Sequence, residues 1–344
     1  MTMPTENRSE HQRMAARIAA ELRARQRFVI TSHLKPDGDS IGSQMAMAGA
    51  LRALGKDVRV VNCDQAPQPL LAFPWVDQIE ITDRVEGDYD AAIVMECGDL
   101  ARTGVQGLER FFLINIDHHP GNAMFGAINW FDASAAACGE MVFEVIRALD
   151  VPISPEIGTH IYLAILTDTG SFHYSSISPR TFDICRQALE AGVDPVSVAR
   201  NVFDSNNIGR LRLFGAVLGS VEIEDGGRLA TIYLDHAMAR AAGGTYDDTE
   251  GLINLPLTVK EVQAVAFFKE VSHSQYRVSL RSKGGIDVGD VAKRFGGGGH
   301  KNASGCTVDG TLPEVRAQVI PLVAEAIGRT ERRGENGDDA RRTA

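Results

Sequence analysis

Apolar residues recur at helical spacing through residues 10–26 (EHQRMAARIAAELRARQ), the signature of a helix with one buried face. The pattern then switches to FVITSH, a short apolar run of the kind that forms a buried strand. A second helical stretch, IGSQMAMAGALRALG, stops at Gly55, a residue suited to ending a helix. VRVVN, YDAAIVME and FFLINID follow as further strand-like runs, separated by turns or helical patterns. Residues 137–149, 156–167 and 180–191 then predict three helices, the second running into TDTGSF. Strands alternating with helices imply an α/β fold whose parallel sheet is covered on both faces.

From about Asp194 the pattern changes. NNIGRLRLFGAVLGSV reads as a connecting helix, followed by the strand-like RLATIYLD and a glycine-rich turn and helix. AVAFFKEV, YRVSLRSK and RFGGGGHKNASGCTV complete a second, smaller α/β region. The expected division is residues 1–193, a helical linker over 194–220, a second domain over 221–330, and a tail over 331–344. That tail (ERRGENGDDARRTA) is charged and poor in apolar residues, so it is expected to be disordered.

A length of 344 residues favours two cores over one. No apolar stretch reaches the length of a membrane span, and the polar N-terminus lacks a signal-peptide core. The five cysteines are scattered and never spaced as CxxC, which points to reduced thiols in a cytoplasm and away from a cysteine zinc site. A net charge of −10 disfavours coating of long nucleic acid, which needs a basic face. It leaves small phosphorylated substrates open, because metal ions and a few arginines supply positive charge locally.

Ligands of an open parallel sheet bind beyond the carboxyl ends of its strands. Four segments bring acids or histidines there. SHLKPDGDS carries His33, Asp37 and Asp39; Glu96 and Asp99 follow YDAAIVM; Asp117, His118 and His119 follow FFLINI; Asp168 follows the helix IYLAIL. Taken singly, Pro-Asp-Gly-Asp is a turn sequence, a His-His pair is a surface or capping feature, and Asp168 is a cap. Taken together they form a mixed nitrogen–oxygen donor set suited to Mn²⁺ or another first-row divalent ion. The surplus of carboxylates suggests two ions sharing a bridging acid, an arrangement that activates water and stabilises a phosphoryl centre.

HLKPDGDS, MECGDLART, IDHHPGN and LTDTGSF, in this order, resemble the motifs of the DHH phosphoesterase family. FGGGGHKNASG, residues 295–305, resembles the glycine-rich signature of that family's associated C-terminal domain. The resemblance covers residues 25–325 and is greatest to the bacterial oligoribonuclease and pAp-phosphatase branch. It implies that His33 and Asp37 hold a first ion while Asp39, His118 and Asp168 hold a second. It further implies that His119 faces the phosphate and that Asp117 orients a histidine. The family's second motif presents a bridging aspartate where this chain has Glu96, whose extra methylene must shift the bridge; Asp99 is the alternative ligand. In the C-terminal domain the resemblance implies a substrate clamp. There the Gly296, Gly297, Gly298 and Gly299 amides and His300 meet an anion, and Arg281 forks onto a phosphate or stacks on a base.

The expected activity is therefore metal-dependent hydrolysis of short RNA to mononucleotides, together with pAp dephosphorylation, using two divalent ions, Mn²⁺ by preference. Short oligonucleotides, dinucleotides or pAp are the expected partners, with no long nucleic acid and no membrane; self-association into a homodimer is left open. The competing expectations are a linear or cyclic dinucleotide phosphodiesterase and a nucleotide-binding regulator with a degenerate metal site.

Overall fold

The structure, a computed structural model, describes residues 5–173, 176–204, 207–244, 249 and 251–342. The chain divides into two compact units, Met1–Ser205 and Asn206–Ala344, so the boundary falls inside the 194–220 segment expected to link them. Among the described residues no helix is long and apolar enough to cross a membrane.

In the first unit, α1 (Thr5–Ala24) leads to β1 (Arg27–Thr31), α2 (Gly38–Ala53), β2 (Asp57–Asn62) and the short β3 (Glu80–Ile81). β4 (Ala91–Met95), β5 (Phe112–Asp117) and β6 (Ile128–Phe131) follow, then α3 (Cys138–Ala148), α4 (Pro155–Asp168), α5 (Pro179–Glu190) and α6 (Pro195–Phe203). The six strands are all parallel, in the order β3-β2-β1-β4-β5-β6. Chain order therefore reverses between β1 and β4. Connections leave these two strands in opposite directions, opening a crevice at their carboxyl ends.

The sheet is covered on both faces, but unequally. α1 to α5 supply the core of one face, with Ile18, Leu22, Met45, Leu51, Met141, Ile161 and Ile184 all buried. The opposite face carries Val29, Val61, Val94 and Leu113 beneath a layer from Val85 and residues 97–111 that has no α-helix. Gly104 and Gly107 there adopt φ of +67° and +86°, breaking the segment into short 3₁₀ turns that still bury Val105 and Leu108.

Glycines let the site-bearing helices approach closely. A Cβ on Gly42 would stand 2.5 Å from the His160 carbonyl oxygen, and one on Gly139 2.5 Å from the Ala164 Cβ. α2 and α3 thus pack tightly on α4, which brings Asp39 and Asp168 to one place.

His160 itself is fully buried, its ring stacked on Trp75 and its Nε2 2.8 Å from the Pro74 carbonyl. Burial holds its pKa down at about 4, against an ordinary 6.5. The unfolded chain takes up this proton at the ordinary value and the folded chain does not. Stability is therefore expected to fall as pH drops from 6.5 through about 4, by about 3 kcal/mol from this group. Denaturant melts at stepped pH on wild type and His160→Gln check it: the difference between the two proteins should narrow across that window, and parallel pH profiles would refute the assignment.

The second unit runs α7 (Ile208–Leu218), β7 (Glu222–Glu224), β8 (Leu229–Leu234), α8 (His236–Ala242), β9 (Ala264–Ser272) and β10 (Gln275–Ser282). α9 (Gly289–Lys293), β11 (Gly298–His300), β12 (Ala303–Asp309) and α10 (Leu312–Arg342) complete it. Its sheet has the order β11-β12-β10-β9-β8-β7 and is antiparallel except for the β8–β9 pair. Val315, Val319, Val323 and Ile327, each one turn apart on α10, pack with Phe268, Val278 and Leu280 in one core. α10 continues to Arg342, so the stretch 331–342 extends a helix where a disordered tail is expected from its charge.

Candidate metal centre

β1 delivers its residues through the turn that starts α2. Asp37 is the N-cap, accepting from the Ser40 amide at 2.9 Å, and is half exposed. His33 is buried, its Nδ1 2.7 Å from the Leu34 carbonyl oxygen. A carbonyl only accepts, so Nδ1 carries the proton and Nε2 presents a lone pair, meeting the Ser40 hydroxyl at 2.8 Å and facing Asp37 at 3.8 Å.

Asp39, in the first turn of α2, is 1% exposed. The Cys138 and Gly139 amides at the start of α3 donate to its carboxylate at 2.6 and 3.0 Å, and the Ser43 hydroxyl at 2.8 Å. Two helix N-termini therefore stabilise one anion. Asp168 has the opposite setting. It ends α4, where the helix dipole opposes a negative charge. Burial, and then Asp39, push its pKa upward, with His118 opposing.

β5 ends in Asp117, which is fully buried. It accepts from His119 Nδ1 at 2.9 Å and from the Asn122 side-chain amide at 2.6 Å. Burial pushes its pKa up, but these donors outweigh burial and hold it below the ordinary value. The Nδ1 of His118 donates to the Ala135 carbonyl at 3.1 Å, so its Nε2 turns inward. That nitrogen lies 3.3 Å from Glu96, 3.5 Å from Asp168 and 4.0 Å from Asp39. Burial disfavours its protonation, yet Asp39 and Asp168 prevail and its pKa is raised.

Glu96 stands at the middle. It follows β4 with φ +56°, a left-handed conformation uncommon in residues other than glycine. Its amide donates to the Ile116 carbonyl at 3.1 Å, and the buried Asn115 side chain ties the carbonyls of Val94 and Cys97 on either side. The turn is thus held from both ends. The carboxylate is 1% exposed and neither oxygen accepts a hydrogen bond among the described residues. Burial first, then Asp39, Asp37, Asp168 and Asp117, raise its pKa well above the ordinary value.

Donor atoms within 4.8 Å of one another fall into three groups: His33, Asp37 and Glu96; Asp39, His118 and Asp168; and Glu96, His118 and His119. An orphaned buried carboxylate shared between two mixed nitrogen–oxygen groups is what divalent cations require. The residues fit such ions. Asp99 lies outside all three groups, exposed and capping a 3₁₀ turn through the Ala101 amide at 2.9 Å. Sequence reasoning missed the supporting partners Ser43, Asn115, Asn122, Ala135 and the Cys138 and Gly139 amides. Only Asn122, within IDHHPGN, stood in a motif that could have flagged it.

In the second unit the glycine run forms a turn and an edge strand. Gly296 and Gly299 have φ of +70° and +133°, and a Cβ on Gly297 would stand 2.2 Å from the Gly305 carbonyl oxygen. With Arg277, Ser279, Arg281 and Phe295 these glycines line an open cavity of about 640 Å³; His300 ends β11.

Residues 27–165 match the model of the DHH family, N-terminal domain, and residues 230–328 match the DHHA1 domain. The chain is 32% identical over 302 residues to a bifunctional oligoribonuclease and PAP phosphatase NrnA of Thermus thermophilus, covering 87% of this chain and 90% of that protein. A probable protein of the same name from Streptococcus mutans is 31% identical, over 84% of this chain and 91% of that one. The crystal structure of an exopolyphosphatase-related protein from Bacteroides fragilis matches with a TM-score of 0.85 and 29% identity, covering 91% of this chain and 96% of that one. With both domain models matched in order and a relative this similar along nearly its whole length, the chain belongs to the DHH phosphoesterase family.

Proposed function

We propose that this protein hydrolyses short RNA oligonucleotides to mononucleotides and removes a phosphate from pAp, using two divalent ions, Mn²⁺ by preference. The observation that carries this reading is Glu96: a buried carboxylate whose oxygens accept no hydrogen bond among the described residues, grouped with His33 and Asp37 on one side and with His118 and His119 on the other, at the sheet's switch point. The names of the relatives from T. thermophilus and S. mutans support the substrate class. His33, Asp37 and Glu96 would hold one ion, and Asp39, His118 and Asp168 the other. When bound, such ions lower the pKa of water and offset the charge that develops on a phosphoryl group.

The protein's own residues do the rest. Asp117 accepts from His119 Nδ1 and fixes the ring, and in the imidazolium form Nε2 would donate to a phosphate oxygen. The Cys138 and Gly139 amides hold Asp39 in one rotamer, and Ala135 holds His118, so the donor set is organised before substrate arrives. In the second unit Arg281 and the Gly297, Gly298 and Gly299 amides would bind a terminal phosphate, with His300, whose side chain lies outside the described ones, beside them.

Product analysis with Mn²⁺ tests the reading. A dinucleotide should give mononucleotides and pAp should give AMP and phosphate, both reactions stopping on chelation. Binding without turnover would favour a regulator instead. Arg281→Ala is expected to raise KM for the dinucleotide about tenfold while sparing a small chromogenic diester. Faster hydrolysis of long RNA than of the dinucleotide, or equal losses on both small substrates, would sink the clamp.

A further inference from the structure

The cavity of the second unit extends beyond the terminal-phosphate clamp. Strand β10 exposes alternate residues on one face, and Arg277, Ser279 and Arg281 all line the same open groove. Four strand steps, roughly 14 Å, take the chain from Arg277 to Arg281, more than one nucleotide of a single strand. Opposite them on β12 lie Thr307, Gly305 and Ala303, which add no negative charge to the face.

On the other flank, Arg277 is paired directly with Lys269 of β9. Like charges directly opposite each other weaken an antiparallel pair. Lys269 directs its Nζ to the Thr249 hydroxyl at 3.3 Å, so the cations that line the groove among the described residues are Arg277 and Arg281. The first carboxylate along that face of β12 is Asp309, which accepts from the Gln275 side chain at 2.7 Å and ends the basic strip. Phe295, half-buried on the groove wall, supplies an aromatic surface.

We infer that Arg277, with Ser279, Thr307 and Phe295, forms a second phosphate-and-base subsite that binds a further nucleotide of the same single strand. This deepens the proposed function and rests on it. Arg281 and the glycine turn hold one phosphate, and the strip from Arg281 to Arg277 holds the next. A guanidinium on an exposed strand offers a forked, charge-assisted contact to a phosphodiester, and an aromatic ring stacks on any base. The unit then discriminates an oligonucleotide from a lone nucleotide such as pAp, which is too short to reach both arginines. Binding ends at Asp309, so long RNA gains nothing more.

The test is the ratio of KM for a pentanucleotide to KM for pAp, measured on the Mn²⁺-loaded full chain. Arg277→Gln should raise that ratio about tenfold, and Arg277→Lys should restore most of it. Thermal melts show whether each variant is folded. An unchanged ratio, or equal losses on both substrates, overturns the subsite. Failure of the wild type to hydrolyse either substrate would overturn the proposed function instead. In that event fluorescence anisotropy of a labelled pentanucleotide decides the subsite alone: weaker binding to Arg277→Gln than to wild type supports it, and equal binding rejects it.

Discussion

Asp39→Asn and His118→Ala are each expected to cut turnover of a nucleotide diester by about a thousandfold, and the double variant is expected to be little worse than either. The two side chains belong to one donor group with Asp168, so losing either leaves the same ion too few ligands. His118→Ala is the cleaner change. Its Nε2 faces three carboxylates, and its other nitrogen makes a single bond to the Ala135 carbonyl, so the fold around it should persist. Asp39→Asn carries a second cost. Its carboxylate accepts from two amides and one hydroxyl, and an Asn side chain turns an N–H₂ towards at least one of these donors. That mismatch should cost about 1–3 kcal/mol of stability, readable as a lower Tm without metal. Near-normal turnover of either variant at saturating Mn²⁺ would remove both residues from the metal assignment.

Much of this site was legible because a parallel sheet concentrates chemistry at one edge. Each of β1, β4 and β5 is a short apolar run, and the polar residues that follow each run converge whatever lies between them in sequence. Other features had no such signal. Residues 97–111 bury apolar side chains without helical spacing, so the layer over the second face of the sheet could not be read as an element. The 331–342 stretch has the composition of a disordered tail, yet it continues a helix whose apolar stripe, Val315 to Ile327, lies wholly before it. Gly296 to Gly299 suggest a loose turn, but a close approach to the Gly305 carbonyl fixes the run as an edge strand with its turn.

The choice between Glu96 and Asp99 shows what spacing alone cannot decide. Both follow β4 within four residues, and both are acids. The left-handed turn at Glu96 directs its side chain inward among the other carboxylates, whereas Asp99 is consumed as an exposed cap. The glutamate side chain brings its oxygens to 3.3 Å from His118 and 3.5 Å from His119.

Glu96→Gln is therefore expected to act with opposite signs on the metal-free and metal-loaded protein. Without metal, Glu96 is a buried acid among four like-charged groups, with no hydrogen bond to stabilise its charge. A neutral amide of the same shape relieves that repulsion, so the metal-free variant should melt at or above the wild-type temperature. With metal, the order reverses. A ligand that binds only the folded chain raises stability in proportion to the logarithm of its concentration over Kd. Gln offers one weaker oxygen donor where Glu offers two charged ones, to both donor groups at once. The rise in Tm on adding Mn²⁺ should therefore shrink sharply, and turnover should fall about a hundredfold or more. Asp99→Asn keeps the side-chain oxygen that caps the Ala101 amide and should match wild type in both measurements. Paired melts with and without Mn²⁺ on the three proteins separate the cases: a full metal-induced rise in Glu96→Gln, together with a lost rise in Asp99→Asn, would move the bridging role to Asp99.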